Sequence, residues 1–138
     1  MKTLRGPAAF LLTVFLAGLA ATAPSMKPID QAEADFERQD YAAALKLSKP
    51  LADRGEARAL VLMGQLAERG LAGVARDPEA ALKFYRQASA KQLAAGRYHL
   101  ARAYREGLGV EPDPSRALRL CQSAADFGYP PAQALLGL

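Results

Sequence analysis

The amino-acid sequence predicts an all-α fold, an α-solenoid of stacked antiparallel helix hairpins, and three observations support this prediction. Hydrophobic residues make up 51% of the 138 residues, aromatic residues only 7%, and the good helix formers alanine, leucine and arginine are abundant. Strand-forming residues are scarce, with valine at four positions and isoleucine at one. The third observation is a helical pattern that recurs after 36 or 37 residues. One such hairpin cannot bury its own apolar stripe, so we expect the copies to stack and share a core.

The first 23 residues have the layout of a secretory signal peptide. Lys2 and Arg5 precede an uncharged apolar run of 16 residues, which ends in the small-x-small motif of residues 21–23. A run of this length is shorter than the roughly 20 residues that cross a bilayer as a helix. We therefore expect a periplasmic or secreted protein, cleaved after Ala23 or after Ala20, with no stable membrane insertion after cleavage. An uncleaved amino-terminal anchor is the alternative.

Charge and residue counts exclude several classes of protein. Removal of Lys2 and Arg5 lowers the formal net charge from +4 to +2, and the remaining basic residues do not cluster as they do in nucleic-acid binders. We therefore expect no nucleic-acid partner. The single cysteine, Cys121, and the single histidine, His99, exclude an intramolecular disulfide, a cysteine cage and a multi-histidine metal site. We expect both side chains to be packed, and we expect no metal and no cofactor.

Residues 24–29 are predicted to be a linker, and residues 30–138 a helical repeat domain. Three aspartates mark equivalent positions in the repeat at intervals of 37 and 36 residues: Asp40, Asp77 and Asp113. The second and third precede a proline, which is typical of a helix N-cap followed by the first helical position. Gly70 and Gly107 stand where a helix C-terminus needs a positive φ. These signals predict helices at about 31–38, 40–54, 57–69, 78–91, 93–106, 114–127 and 131–138.

The two most regular copies, residues 63–92 and 101–128, resemble the Sel1-like repeat, a relative of the tetratricopeptide repeat. Both carry its glycine turn, its aspartate cap and its alanine positions, and the resemblance extends over about residues 40–138, as about two full repeats plus partial ends. Three residues depart from the family pattern: Ala101 and Gln92, which replace glycines, and Gly96, which replaces an alanine. The resemblance implies an exported, non-catalytic adaptor that mediates protein–protein interaction in the bacterial envelope.

No catalytic constellation is evident, so we predict that the protein is not an enzyme. The serines lack a nucleophile elbow and a placed base. Residues 107–110 lack the preceding strand of a dinucleotide-binding loop, and we expect them to form a turn between helices. Two alternatives from other classes remain. One is a cell-wall or β-lactam-acting hydrolase, as the resemblance implies for some cysteine-rich relatives, whose disulfides have no counterpart here. The other is a self-assembling structural module.

The helix that follows each repeated aspartate carries basic residues in equivalent positions, on the face opposite its apolar stripe. Because the first helices of related arrays usually line the concave side, we expect a groove there for an acidic peptide or an envelope protein, attracted by this charge. The alternative is a solvated basic face. The residues that we expect to contact a partner on this face are Lys46, Lys49, Lys83, Arg86, Arg119, Tyr41 and Tyr85. For Tyr85, which lies on the apolar stripe, a core position is the alternative.

The last copy, from Tyr129 onwards, contains one short apolar helix, and the last charged residue of the chain is Asp126. An apolar end of a solenoid invites association. We therefore expect Leu136 and Leu138 to contact a partner or to mediate self-association. The alternative is a frayed terminus in which only Leu135 or Leu136 is docked.

Overall fold

The computed structural model describes residues 25–138, and the predicted signal peptide lies outside this range. The described residues form seven helices and no strand, which confirms the all-α prediction. The helices are α1 (Pro28–Glu37), α2 (Tyr41–Asp53), α3 (Ala57–Arg69), α4 (Pro78–Ala90), α5 (Ala94–Glu106), α6 (Pro114–Asp126) and α7 (Pro130–Leu136). None of the described helices has the length and apolar character of a membrane span.

The helix boundaries follow the predicted signals closely, with differences at the two ends. Helix α1 begins at Pro28, so the last two residues of the predicted linker belong to the helix. Proline is tolerated at the first helical position, because its missing N–H would have no partner there, and Ile29 is buried in the core. Helix α7 ends at Leu136 because Gly137, with a φ of +75°, terminates it.

The repeated aspartates cap helices as predicted. The side chains of Asp40, Asp77 and Asp113 each accept a hydrogen bond from the backbone N–H three residues later, at 3.2, 3.0 and 3.0 Å. Gly70 and Gly107 end α3 and α5 with φ values of +67° and +76°, which confirms the predicted left-handed caps. These local signals set the starts of α2, α4 and α6 and the ends of α3 and α5.

The helices form two layers. Each helix packs on its neighbours in sequence, and α3 also contacts α1 and α5, the next helices but one on either side. The even-numbered helices make no comparable contacts with one another in the described chain. Helices on the inside of a curved two-layer array lie closer together than those on the outside. We therefore define the inner layer as α1, α3, α5 and α7, and the outer layer as α2, α4 and α6.

Small residues dominate the core between the layers. Fully or nearly fully buried alanines recur at equivalent positions of the outer helices, at Ala44, Ala81, Ala88, Ala117 and Ala124. They allow neighbouring helices to approach closely, as the composition predicts. The largest side chain that is completely buried is that of Tyr85 in α4, which packs with Leu82 and with Leu100 and Tyr104 of α5.

Candidate interaction surfaces

A groove with a volume of about 540 Å³ lies along the inner layer, and we call it the inner groove. Its apolar lining consists of Phe36, Val61, Leu62, Leu93, Ala94 and Ala95. Its polar and titratable lining consists of Glu33, Glu37, Arg58, Gln65, His99 and Tyr129. Residues of the first helix and of the turn before the last helix thus share one surface. The groove therefore presents apolar and polar side chains in equal number.

The charges of the inner groove are mostly paired, with an acidic excess. The Arg58 guanidinium donates from Nε to Glu33 Oε1 at 2.8 Å and from Nη2 to Asp30 Oδ1 at 2.8 Å. The hydrogen bonds from Glu33 and Asp30 raise the pKa of Arg58 above its ordinary value. Glu37 is exposed and forms no ion pair within residues 25–138. The inner groove therefore offers apolar contacts together with an uncompensated carboxylate.

A hydrogen-bonded network lies behind the inner groove and joins three helices. The Tyr85 hydroxyl of α4 donates to Glu68 Oε2 of α3 at 2.5 Å, and Arg102 Nη2 of α5 lies 3.0 Å from Glu68 Oε1. His99 stacks on the Tyr85 ring with 5.0 Å between ring centroids. Burial, followed by the charge of Arg102, lowers the pKa of His99 to about 4, and burial with the Glu68 hydrogen bond raises that of Tyr85. At neutral pH, the His99 side chain that lines the groove is therefore uncharged.

The predicted basic contacts lie on the outer layer and not in the inner groove. The side chains concerned are exposed on α2, α4 and α6: Lys46, Lys49, Lys83, Arg86 and Arg119. Lys49 Nζ is 3.9 Å from Asp53 Oδ2, and Arg86 Nη2 donates to the Tyr104 hydroxyl at 3.1 Å. The prediction that this face is concave is wrong, because the helices that contact each other across the array are the odd-numbered ones. That these residues bind an acidic partner stays a prediction.

The two predicted aromatic contacts have different environments. Tyr41 is half-buried, packs edge-on against Phe36 with 5.1 Å between ring centroids, and accepts a hydrogen bond from Arg69 at 3.1 Å. Tyr85 is completely buried, so it cannot contact a partner in the folded protein. Its hydroxyl donates a hydrogen bond to Glu68 of another helix. The alternative prediction, a core position for Tyr85, is correct.

A second concave surface, which we call the C-terminal cleft, lies between α5, α6 and α7 and has a volume of about 350 Å³. The lining is apolar apart from two arginines and consists of Ala101, Arg102, Arg105, Pro114, Ala117, Leu118, Cys121, Leu135 and Leu136. Leu118 is 58% exposed. Of the two leucines predicted to bind a partner at this end, Leu136 lines the cleft, whereas Leu138 is exposed outside it.

The sequence contains one signal for the C-terminal cleft. Cys121 occupies the repeat position of Tyr85, where the repeat pattern has an aromatic residue. In the first repeat, Tyr85 packs against Gly64, where an added Cβ would lie 2.4 Å from the Tyr85 ring. In the second repeat the equivalent pair is Cys121 and Ala101. Ala101, which replaces the glycine of the family pattern, thus faces a side chain smaller than tyrosine. Because Cys121 is smaller, the alanine can be accommodated there.

Neither surface brings together a recognisable metal site. Within the described part of the chain, no group of three or more histidine, cysteine, aspartate or glutamate side chains could hold a metal ion. Cys121 is buried, and its Sγ lies 3.7 Å from the backbone oxygen of Ala132. Burial raises the pKa of its thiol, so the thiol is a packed side chain and not an activated nucleophile.

Comparison with known proteins agrees with this architecture. The family model described as Sel1 repeat matches residues 57–93 and 94–129. Each matched repeat begins with an inner-layer helix, so the predicted register, which began at Asp40, is shifted by one helix. This shift is the reason that the basic residues were assigned to the concave side. The comparison with curated protein sequences gave no significant match.

Two solved structures share the fold. A Sel1 repeat protein from Oxalobacter formigenes superposes with a TM-score of 0.72 at 20% identity, over 82% of this chain and 45% of its own. A protective antigen present in uropathogenic Escherichia coli strains, which displays an SLR fold, has a TM-score of 0.65 at 28% identity, over 80% of this chain and 24% of its own. This chain thus spans less than half the length of either protein. Because the family model matches more than half of its residues, the chain belongs to the Sel1 repeat family.

Proposed function

We propose that this protein is an exported, non-catalytic adaptor of the bacterial envelope that binds a protein partner in the inner groove. The Sel1 repeat fold indicates a protein-interaction module. The observation that carries the proposal is the inner groove itself, a cleft of about 540 Å³ formed by successive inner helices. Export is supported by the layout of residues 1–23.

The lining of the inner groove suggests the chemistry of the partner segment. Phe36, Leu62 and Leu93 offer apolar contacts, and Glu37 offers a carboxylate without an ion-pair partner in the described chain. Arg58 is held by Asp30 and Glu33 and is not available for an acidic ligand. The partner segment that fits best therefore combines apolar side chains with a positive charge.

The outer basic face gives a second candidate for the interaction surface. Lys46, Lys83 and Arg119 are exposed and make no ion pair within residues 25–138, so they could attract an acidic partner without first breaking a salt bridge. The two candidates call for partners of opposite charge and for contacts on opposite layers. One experiment can therefore compare them directly.

Site-directed photocrosslinking in intact cells compares the two surfaces. The full chain is expressed with p-benzoylphenylalanine in place of Gln65, which lines the inner groove, or in place of Lys83 on the outer layer. We expect a discrete crosslinked partner from position 65 and none from position 83. The reverse result would support the outer basic face, and a crosslinked product composed only of this chain would support the self-assembling alternative.

Export and catalysis are tested separately. Mass spectrometry of the protein from the soluble periplasmic fraction should show an N-terminus at Ala21 or Pro24, and recovery of intact Met1 there would contradict cleavage. Recovery in the membrane fraction alone would support the uncleaved anchor. The purified protein should not hydrolyse a chromogenic β-lactam or peptidoglycan, and turnover above that of a boiled sample would support the hydrolase alternative.

A further inference from the structure

His99 gives the inner groove a polar group that the neighbouring inner helices lack. It lines the groove in α5 with 8% of its surface exposed, and its repeat equivalents are Leu62 and Leu135. Its Nδ1 lies 3.4 Å from Arg102 Nη1. Because a guanidinium can only donate hydrogen bonds, Nδ1 is the acceptor, and the neutral ring carries its proton on Nε2. The lining of the groove therefore contains an imidazole with one defined donor.

This donor makes no hydrogen bond within the described chain. One face of the His99 ring stacks on Tyr85, and Nδ1 is occupied by Arg102, so the edge that carries Nε2 is the one on the groove. No fully buried side-chain nitrogen or oxygen of residues 25–138 lacks a hydrogen-bond partner, so Nε2 retains contact with solvent. The amide of Gln65, half-buried on α3 in the same lining, is likewise unpaired among these residues. An occupant that displaces solvent from both groups loses affinity unless it replaces their hydrogen bonds.

These unpaired groups favour an extended occupant over a helical one. The backbone N–H and C=O groups of a helix are bonded within the helix, except at its ends. In an extended segment, each residue other than proline presents a free N–H and a free C=O. One backbone carbonyl can accept from His99 Nε2, and another peptide unit can pair with both groups of the Gln65 amide. An extended segment thus satisfies the groove with its backbone, whatever its side chains are.

The charge of the groove favours a basic occupant. Glu37 lies one turn after Glu33 on the same face of α1, and it is exposed without an ion pair in the described chain. Asp30 and Glu33 share the guanidinium of Arg58, so three carboxylates stand against one positive charge. Phe36, next to Glu37 in sequence, adds an apolar surface for the stem of a lysine or arginine. A basic side chain at this end of the groove is therefore complementary in charge.

We propose that the inner groove binds its partner protein as an extended segment, with a lysine or arginine beside Glu37 and a backbone carbonyl on Nε2 of His99. Gln65 of α3, the helix between α1 and α5, binds the backbone of the same segment. The inference rests on the proposed function, because it takes the inner groove as the interaction surface. His99 is the specificity-determining residue, since a leucine at its position would leave the carbonyl of the partner without a donor.

Peptide display supplies a defined probe for this mode of binding. A library of random dodecapeptides is selected on the immobilised full chain, and the most enriched sequence is synthesised as the probe. We expect the enriched sequences to contain lysine or arginine among apolar residues. Transferred NOEs of the bound probe should show an extended backbone, with strong contacts between Hα and the following amide proton and weak contacts between successive amide protons.

Matched variants separate the charge from the backbone contact. Glu37→Lys should weaken binding of the probe at least about tenfold, whereas Glu111→Lys, the same change at an exposed turn outside the groove, should leave the affinity unchanged. His99→Leu should weaken binding about fivefold. An amide-to-ester scan of the probe then locates the contact. At one position, the ester should weaken binding to the wild type but not to His99→Leu.

Nitrogen-15 NMR tests the donor without any ligand. Because His99 is the only histidine of the sequence, its ring nitrogens are assigned without ambiguity. In the full chain at neutral pH, we expect the tautomer with the proton on Nε2. A proton on Nδ1 would overturn the assignment of the donor.

Several binding results would overturn the proposal. They are enrichment of acidic peptides or of none, a helical bound probe, equal affinity for the wild type and Glu37→Lys, and an ester scan with no position coupled to His99. If crosslinking from position 65 still captures a partner, the inner groove remains the interaction surface and only this mode of binding is wrong.

Two further results concern the occupant itself. If the library yields no enriched peptide and position 65 captures nothing, the proposed function fails together with this inference. A crosslink from position 65 to residues 1–24 of the same chain would show that the groove is occupied from within, and it would overturn the assignment to a partner protein.

Discussion

The two Sel1 repeats, residues 57–93 and 94–129, have the same helix lengths and end their first helices with the same glycine cap, but their interiors are filled differently. The first repeat places Tyr85 against Gly64 and connects its hydroxyl to Glu68. The second places Cys121 at the position of Tyr85 and leaves a cleft. The comparison shows that the same caps and small residues form the hairpin in both repeats, although the side chains that fill the junction differ.

The largest expected effect comes from removing the aromatic residue at the closed junction. Tyr85→Ala should lower the free energy of unfolding by about 3–5 kcal/mol, because it leaves a large cavity and removes one of the two hydrogen-bond partners of Glu68. Cys121→Ala, the matched change in the second repeat, should cost about 1 kcal/mol. Urea denaturation monitored by circular dichroism measures both. Equal costs would mean that the two junctions are equally packed and would break the comparison.

The second prediction concerns the pH dependence of stability that arises from His99. The equivalent residues in the neighbouring inner helices are leucines. Because burial lowers the pKa of His99 to about 4, the unfolded chain takes up a proton below pH 6.5 that the folded chain excludes. Stability should therefore fall as the pH decreases from about 6.5 to about 4, by about 3 kcal/mol in total from this residue. In His99→Leu, with the residue found at Leu62 and Leu135, that part of the decrease should be absent.

This prediction is tested by the difference in stability between the wild-type protein and His99→Leu at each pH. Denaturation midpoints at pH 7, 5.5 and 4.5 are compared for the wild type and His99→Leu, since the other ionisable groups act alike in both. Parallel pH profiles would show that His99 is protonated in the folded state, despite its contact with the Tyr85 ring and the nearby Arg102 charge.

A smaller effect should come from the close approach at Gly64. Gly64→Ala should destabilise the protein by about 1–3 kcal/mol, since the new Cβ would lie 2.4 Å from the Tyr85 ring. In a Tyr85→Cys background, which reproduces the pair found in the second repeat, the same substitution should be neutral or stabilising. Double-mutant analysis of thermal denaturation measures this coupling. Additive effects would show that helix α3, and not the Gly64–Tyr85 contact, sets the cost.

The smallest expected effect lies in a turn between helices. Gln92 has a φ of +67°, whereas its repeat equivalents are glycines with similar values. Gln92→Gly should stabilise the protein by up to about 1 kcal/mol because it removes left-handed strain, and Gly128→Gln should destabilise it by a similar amount. Nothing lies within 4 Å of a Cβ added at Gly128. The cost of the second change therefore comes from the left-handed backbone conformation and not from a steric clash. Relative to the wild type, Gln92→Gly should raise the melting temperature and Gly128→Gln should lower it. Shifts in the same direction would contradict this account.

The helices could be predicted from the sequence because their signals are local. The aspartate caps, the prolines after them and the glycines at the ends act within a few residues, and the structure has each in its predicted place. The repeat spacing gave the fold class for the same reason, since a 36- or 37-residue period is visible without tertiary contacts.

The sites were less predictable because they depend on relations between helices. Which layer is concave follows from contacts between α1, α3 and α5, which no single helix reveals, so the basic residues were assigned to the wrong side. The burial of Tyr85 depends on Glu68, a hydrogen-bond partner on a different helix. The C-terminal cleft was partly visible as the change from Tyr85 to Cys121, but its depth depends on where α7 ends.

The network of Tyr85, Glu68 and Arg102 has a consequence for how the array opens. It ties α3, α4 and α5 together by hydrogen bonds between side chains and an ion pair, whereas α6 and α7 are joined by side-chain hydrogen bonds to backbone oxygens, from Gln133 to Ala125 and from Cys121 to Ala132. In a linear array, cooperativity depends on the coupling between neighbouring units. The three linked helices should therefore exchange their amide hydrogens as one foldon, at the global unfolding rate. Helices α6 and α7 should fray earlier, as a separate unit with faster amide exchange.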